Sequence, residues 1–308
     1  MEKRITVFTP SYNRANLLHR CYESLLRQTS KQFKWLIIDD GSADNTRDIV
    51  AGWISEHKIE IAYYYKENGG LHTAYNAALE RMDTELSVCI DSDDWMPDDA
   101  IETILTFWDA NKSDDVAGII GLDYTAEGEL IGDHLTEGEH IYPLDLMTSK
   151  TNRGDKKYVL VTKLHQSVAP MPVFPGEKNF NPHYMVLKLS AKYSFLALDK
   201  PLCIVDYQED GMSANIFQHY MNSPNSFAEY RRAIMELPKV PFPYLCRTVV
   251  HYVSSCIIAK QKGCIRNSPK KLLTVLLWPL GCLFSMYVRR NKNILLQKNR
   301  KNEVDRNV

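Results

Sequence analysis

An α/β fold built on a mostly parallel sheet with helices on both faces is what this sequence predicts, and three observations carry that expectation. Short strand-like runs at 4–9, 34–38, 59–65 and 86–90 alternate with segments of helical spacing, the rhythm of a covered parallel sheet. The 308 residues fit one large α/β domain or one domain with an appendage. Each of the four runs is followed by a polar or glycine-bearing word, at the edge where open α/β sheets bind ligands.

The elements follow in order. Residues 4–9 read as a buried strand that ends at Pro10, and Leu17, Leu18, Cys21, Tyr22, Leu25 and Leu26 then recur at helical spacing. The run 34–38 is a second strand, stopped by Asp39-Asp40-Gly41-Ser42. A helix starting near Asp44 carries Ile49, Val50, Trp53 and Ile54. The run 59–65 is a third strand, broken by Asn68-Gly69-Gly70, and residues 71–82 are helical. The run 86–90 ends at Asp91. After Ile120 the rhythm loosens, residues 123–180 being rich in turn formers and charges. A helix is expected within 179–193 and a strand within 196–207.

Composition narrows the class. At 44% hydrophobic and 24% charged residues the chain is an ordinary folded protein. Its seven cysteines are scattered and form no C-x-x-C pair, which speaks against a zinc site or a disulfide framework and for a reducing, cytoplasmic compartment. Met1-Glu2-Lys3-Arg4 runs straight into Ile5-Thr6-Val7-Phe8 without the pattern of a secretory signal.

The net charge of −1 conceals two opposed parts: residues 237–308 hold 14 Lys and Arg against 2 Asp and Glu, and the remainder holds 23 against 36. The basic part implies an anionic partner. Within it Lys270-Lys271 and Arg289-Arg290 bracket 17 uncharged residues, interrupted by Pro279 and Gly281. A spanning helix needs about 20 apolar residues. The expectation is therefore a helical hairpin or an interfacial helix on the anionic cytoplasmic leaflet. A helix closing the soluble core is the alternative. Leu245, Val249, Tyr252, Val253, Cys256 and Ile257 follow helical spacing and are placed beside it. No nucleic-acid motif appears.

Chemistry centres on Asp91-Ser92-Asp93-Asp94. Three carboxylates within four residues repel one another unless a cation or a set of donors is present. Mg²⁺ and Mn²⁺ favour such oxygens and share them with substrate phosphates. An acidic turn capping the next helix is the plainer reading. Asp39-Asp40-Gly41-Ser42 offers a carboxylate for a pyrimidine ring N–H, against a turn and helix cap. In Thr9-Pro10-Ser11-Tyr12-Asn13-Arg14, Tyr12 offers a ring to a base and Arg14 a fork for phosphate, against a plain strand-to-helix loop. In Lys66-Glu67-Asn68-Gly69-Gly70 two glycines permit close approach of a ligand, against a simple turn.

Together these words resemble the family 2 glycosyltransferases of GT-A fold, of bacterial cell-surface polysaccharide type. The matching stretches are Thr-Pro-Ser-Tyr-Asn-Arg at 9–14, Ile-Ile-Asp-Asp-Gly-Ser at 37–42, Asn-Gly-Gly-x-x-x-Ala-Tyr-Asn at 68–76 and Asp-Ser-Asp-Asp-Trp at 91–95, whose Asp-x-Asp (DXD) is the metal word. Their order and spacing match, and roughly the first 100 residues are covered. The resemblance implies a nucleotide-sugar donor, often UDP-linked, a Mn²⁺ or Mg²⁺ ion, and inverting transfer to a glycan or lipid-linked acceptor. It implies that Pro10 and Tyr12 border the base, that Asp40 reads its ring, that Arg14, Asn68, Gly70, Asp91 and Ser92 line the donor, and that Asp93 ligates the metal. Residues 1–120 would bind the donor and 121–225 the acceptor, with 226–308 a basic, apolar helical tail on the inner face of the cytoplasmic membrane.

The second half resembles the family more weakly, through residues 174–183 and through 206–213. Family members usually carry an acidic base at the position aligned with His183. A neutral imidazole could take that role, with Glu177 the other candidate. Two rivals stand beside this reading. A sugar nucleotidyltransferase would want a glycine-rich basic loop after the first strand, and residues 9–16 offer only Arg14. A catalytically inactive donor-binding or scaffold subunit of a membrane assembly would explain the missing acid.

Overall fold

The computed structural model describes residues 2–149, 154–206 and 216–291. It divides into two compact units, one of Met1–Met171 with Met185–Gln208 and one of Pro172–Tyr184 with Glu209–Val308.

The first unit is the expected α/β structure. Its elements run β1 (Ile5–Ser11), α1 (Leu18–Arg27), β2 (Phe33–Asp39), α2 (Thr46–Glu56), β3 (Ile61–Tyr65), α3 (Leu71–Leu79), β4 (Leu86–Cys89), α4 (Ala100–Asn111), β5 (Val116–Thr125), β6 (His140–Ile141), α5 (Pro143–Thr148), β7 (Lys156–Val161) and α6 (Thr162–Ser167). After α7 (His183–Ser190), β8 (Ser194–Val205) closes it. The sheet order is β3-β2-β1-β4-β7-β5-β8-β6. β3, β2, β1 and β4 are parallel, β7 runs antiparallel to both β4 and β5, β5 and β8 are parallel, and β6 is antiparallel to β8.

Alternation along the strands fills two cores. Ile5 and Val7 of β1 pack in one cluster with Leu18, Cys21 and Leu25 of α1 and Ile101, Ile104 and Trp108 of α4. Phe8 meets Tyr75 of α3 edge-on at 5.0 Å, on the other face. β5 shows the same division: Val116 and Ile119 join the first cluster, whereas Ala117, Ile120 and Leu122 join a second with Val186, Leu189 and Phe195. Tyr22, Trp35 and Trp53 stack at 4.4–6.1 Å and lock α1, β2 and α2 together.

Two expectations are corrected. Pro10 does not end the first strand; it is buried inside β1, opposite Ile38. Nor does the strand rhythm loosen at 120. β5 crosses that position, and β7, with its two leading lysines, inserts between β4 and β5. Charged residues at one end of β7 hid it among the turn formers.

The second unit is helical: α8 (Ile216–Asn222), α9 (Pro224–Glu236), α10 (Phe242–Ile258), α11 (Cys264–Asn267) and α12 (Lys271–Leu276), with residues 278–291 helical again after a turn at Leu277. Val249, Tyr252, Val253 and Cys256 of α10 form its core with Ala228 and Met235 of α9, and Leu245, Ile257, Leu273, Leu277 and Trp278 pack against it. The expected pairing of α10 with the uncharged run is present. Among the described residues no helix is long and apolar enough to cross a membrane. Beyond Asp206 the stretch 206–213 lies outside the described residues, as does 292–308.

Candidate functional site

The polar words at the carboxyl ends of β1, β2 and β3 are knitted to one another. The Asp40 amide donates to the Ser11 carbonyl at 2.8 Å, and the Lys66 amide to the Asp39 carbonyl at 2.9 Å, each prolonging the sheet by one bond. The Asn13 amide donates to Ser42 Oγ at 2.9 Å, and Asn13 Oδ1 accepts from the Ala43 amide at 2.7 Å. Asp39 is buried, accepting from the Ser42 amide at 2.7 Å and from the Tyr63 hydroxyl.

Asp40 is the hub. It is 4% exposed. Its Oδ1 accepts from Lys66 Nζ and from the Gly69 amide at 3.0 Å. Its Oδ2 accepts from the Gly70 amide at 2.7 Å and from Asn68 Nδ2 at 3.1 Å. Asp40, the residue expected to read a base ring, is tied to the loop after β3. Both oxygens are already engaged by residues 66–70, so Asp40 shapes that loop. Gly41 makes the arrangement possible. Its φ of +86° suits glycine, and a Cβ there would stand 2.7 Å from the Asn68 nitrogen. Gly70 is buried at φ +95°, at the start of α3. The third word ends in a second tie: Asn76 donates to the Met171 carbonyl at 3.0 Å and accepts from its amide at 2.8 Å.

The acidic word follows β4. Asp91 is exposed, Asp93 half-buried, and Ser92 and Asp94 buried. Burial and the Asp91 charge push Asp93 above the usual carboxylate range, Arg14 pulling the other way. Asp94 is pushed up to about 7 by burial, against the pull of Lys157 and with the repulsion of Asp91 and Asp93. Asp94 Oδ1 accepts from the Asp206 amide at 3.2 Å, and Oδ2 from the Cys203 thiol at 3.7 Å. Trp95 exchanges backbone bonds with Ile204 of β8 at 2.7 and 3.1 Å. Asp206 pairs with Arg20, whose guanidinium lies 5.6 Å from the centre of the Trp95 ring.

Behind the acidic word stands Lys157 of β7. Burial works against its charge, yet Cys203, Asp123, Asp94 and Asp91 around it hold its pKa well above the usual ammonium range. Asp123, 3% exposed, is itself raised to about 6 by burial. Lys157 thus supplies a buried positive charge to Asp94, Asp123 and Asp91, with Asp91 exposed to solvent. Tyr12, 49% exposed, leaves its ring open to solvent.

Glu177 and His183 both belong to the second unit. Glu177 is buried, with both oxygens filled: Oε1 by the amide and Nδ2 of Asn225 at 2.8 Å each, Oε2 by the amide and Oγ of Ser226 at 2.8 and 2.7 Å. It caps the N-terminus of α9, which explains its place without a proton to carry. His183 opens α7, and its Nδ1 lies 3.2 Å from the Tyr230 hydroxyl. Burial pulls its pKa down to about 4, so it is neutral at pH 7 and a weak base.

The glycosyl transferase family 2 model matches residues 6–161, half of the chain. The chain belongs to that family. Its curated relatives include the glycosyltransferase GlyA of Streptococcus pneumoniae, 36% identical over 104 residues, 34% of this chain and 15% of that protein. They also include the putative teichuronic acid biosynthesis glycosyltransferase TuaG of Bacillus subtilis, 36% identical over 104 residues, 33% of this chain and 41% of that protein. The matched segments thus span well under half of these relatives. Among solved structures, S. aureus TarS 1–349 in complex with UDP-GlcNAc superposes with a TM-score of 0.59 at 16% identity, covering 96% of this chain and 92% of that one. The mannosyltransferase PcManGT of Pyrobaculum calidifontis, in complex with GDP-Man and Mn²⁺, gives 0.55 at 16% identity, covering 93% and 88%. At such identities the likeness shows the fold, which is GT-A.

Against this family 2 background the sequence words were placed correctly at the strand ends, and three residues of the first unit were missed. Lys157 was missed because a lysine in a charged run reads as surface. Asp123 sits at the far end of β5, where no motif marks it. Asp206 lay within a stretch singled out by resemblance, but its pairing with Arg20 crosses 186 residues. Among the described residues no ready-made group of three or more His, Cys, Asp or Glu is placed to hold a metal ion. A cation would therefore take one or two carboxylates here and complete its shell from phosphate and water, the habit of Mg²⁺ and Mn²⁺ at nucleotide sites. The burial that raises Asp93, together with repulsion from Asp91, fits such a partner.

Proposed function

We propose that the chain is an inverting glycosyltransferase that moves a sugar from a nucleotide donor, UDP-linked by analogy, to a glycan or lipid-linked acceptor. The observation that carries this is the joining of Ser11, Asp40, Lys66 and Asn68 into one hydrogen-bonded rim at parallel strand ends, with the Asp91–Asp94 word following the neighbouring strand. TarS and PcManGT, of like fold, were solved with UDP-GlcNAc and with GDP-Man and Mn²⁺.

The donor base is assigned to the side of Tyr12 and Pro10. Arg14, Asn68, Gly70, Asp91 and Ser92 flank the diphosphate and sugar, with Asp40 holding the loop that carries Asn68 and Gly70. Asp93 would hold Mn²⁺ or Mg²⁺, assisted by Asp91. When bound, the cation supplies Lewis-acid stabilisation of the leaving diphosphate. The acceptor hydroxyl oxygen forms a bond to the anomeric carbon as the bond from that carbon to the diphosphate oxygen breaks. The nucleoside diphosphate leaves, and the hydroxyl proton passes to a general base, for which His183 and Glu177 are the candidates.

The second reading is a donor-binding subunit without turnover. It is favoured by the low basicity of His183 and the capped state of Glu177. A thermal-shift screen of nucleotide sugars with Mn²⁺ tests the donor site shared by both: a specific donor raises Tm in proportion to its affinity. No shift with any donor removes both readings.

A further inference from the structure

The C-terminal helices carry a second row of apolar residues on their exposed side, beyond those that pack inward. Leu272, Leu276, Leu280, Leu283 and Tyr287 recur every three or four residues along α12 and the helical stretch 278–291, and are 51–75% exposed. Val275 and Met286 flank them at 50% and 57%. The opposite side is buried: Thr274, Gly281, Ser285 and Val288 lie inside, and Leu273, Leu277 and Trp278 pack against the core of α9 and α10. Gly281 lets that side close on α10, since a Cβ there would meet Val253 Cγ1 at 2.3 Å. An ordinary surface helix buries its apolar stripe and shows water its polar one. Here apolar residues lie on both sides: Leu273, Leu277, Trp278 and Val288 are on the protein side, and Leu272, Leu276, Leu280, Leu283 and Tyr287 are left outside, a contiguous apolar face of the kind that marks a docking surface.

The charge around that face selects its occupant. Residues 237–291 contain nine Lys and Arg and no Asp or Glu. Lys270 and Lys271 stand exposed before the face, and Arg289 and Arg290 after it. A second copy of this chain would bring those basic ends against its own, whereas an anionic lipid surface offers both hydrocarbon and negative charge. We propose that the face formed by Leu272, Leu276, Leu280, Leu283 and Tyr287 lies in the headgroup region of an anionic bilayer, with Lys270, Lys271, Arg289 and Arg290 on the phosphates. The turn at Leu277, and the lack among the described residues of a helix long enough to cross, make this a surface contact.

The test is flotation of the full chain with vesicles of phosphatidylcholine and phosphatidylglycerol, and with phosphatidylcholine alone. The chain floats with the anionic vesicles and far less with the neutral ones. High salt weakens but does not abolish that binding, because screening acts on the charges and leaves the apolar contact. Changing Leu272, Leu276, Leu280 and Leu283 to Gln removes binding. Changing Lys270, Lys271, Arg289 and Arg290 to Gln weakens it by about 600-fold, from about fivefold per basic residue. All eight side chains are exposed, so both variants keep the wild-type circular dichroism spectrum. If either does not fold, the salt and lipid dependence of the unaltered chain decides. Failure of the full chain to float with anionic vesicles overturns the proposal. So does equal binding to both vesicle types, or a lipid-free dimer that the leucine changes dissociate. Nucleotide binding is read separately and does not enter the outcome.

Discussion

The Gly70 amide donates to Asp40 Oδ2 at 2.7 Å, so that the residue expected to read the nucleotide base holds the loop after β3. Asp40→Asn is the discriminating change. An amide keeps the shape but turns a donor toward donors and leaves Lys66 without its ion pair. Removing an acceptor from buried donors costs about 1–3 kcal/mol. The expected outcome is a fall in unfolding free energy of that size together with weaker nucleotide binding. A loss of binding with stability intact would return Asp40 to direct base reading.

That comparison also shows what sequence alone could carry. The four words were legible because alternation of strand and helix assigns each of them to a strand end, and strand ends of a parallel sheet share one edge. Their hydrogen-bonding roles were not, because a pair such as Asn68 and Asp40 depends on how the loop after β3 folds back, which the Gly41 close contact decides. β7 was invisible because Lys156 and Lys157 broke its apolar pattern, although Lys157 is where the acidic word finds its counter-charge. Glu177 read as a candidate base because an acid in a loop shows its charge and not its partners. The four donors from Asn225 and Ser226 are 48 and 49 residues away.

Lys157→Met should leave Asp94 and Asp123 without the positive charge that both feel. Breaking a buried charge pair by removing one partner costs about 3–5 kcal/mol. The expected result is a lower Tm that Mn²⁺ partly restores, because a divalent ion can replace the missing positive charge. Urea unfolding with and without Mn²⁺ measures this. An unchanged midpoint would mean that Lys157 is not the counter-charge.

Glu177→Gln should act on folding. The four donors at the start of α9 lose a charged acceptor, and the change should cost about 1–3 kcal/mol with little effect on turnover per folded molecule. A drop of roughly 10²–10⁴-fold in kcat at unchanged stability, the scale of a lost general base, would make Glu177 catalytic after all.

His183 gives a pH prediction. Burial lowers its folded pKa to about 4, below the ordinary value of 6.5. The unfolded chain then binds the extra proton between those values, so the contribution of His183 to stability is complete above about pH 6.5 and is lost as pH falls toward 4. His183→Gln should flatten the stability profile in that window relative to the unaltered chain. If His183 is also the base, kcat holds level down to about pH 5 and its acid limb falls near 4. Turnover that declines below about 6.5 points to another group.

The most direct measurement is release of nucleoside diphosphate from a panel of nucleotide sugars, with Mn²⁺, by the full chain and by Asp93→Asn. A transferase leaks some donor sugar to water even without its acceptor. The account predicts release from at least one donor, abolished by a chelator and by Asp93→Asn while Tm is kept. Release that persists undiminished in Asp93→Asn with chelator present would contradict the cation site. A chain that binds a donor yet releases no diphosphate, with or without candidate acceptors, would contradict the transferase reading and leave the non-catalytic subunit in its place.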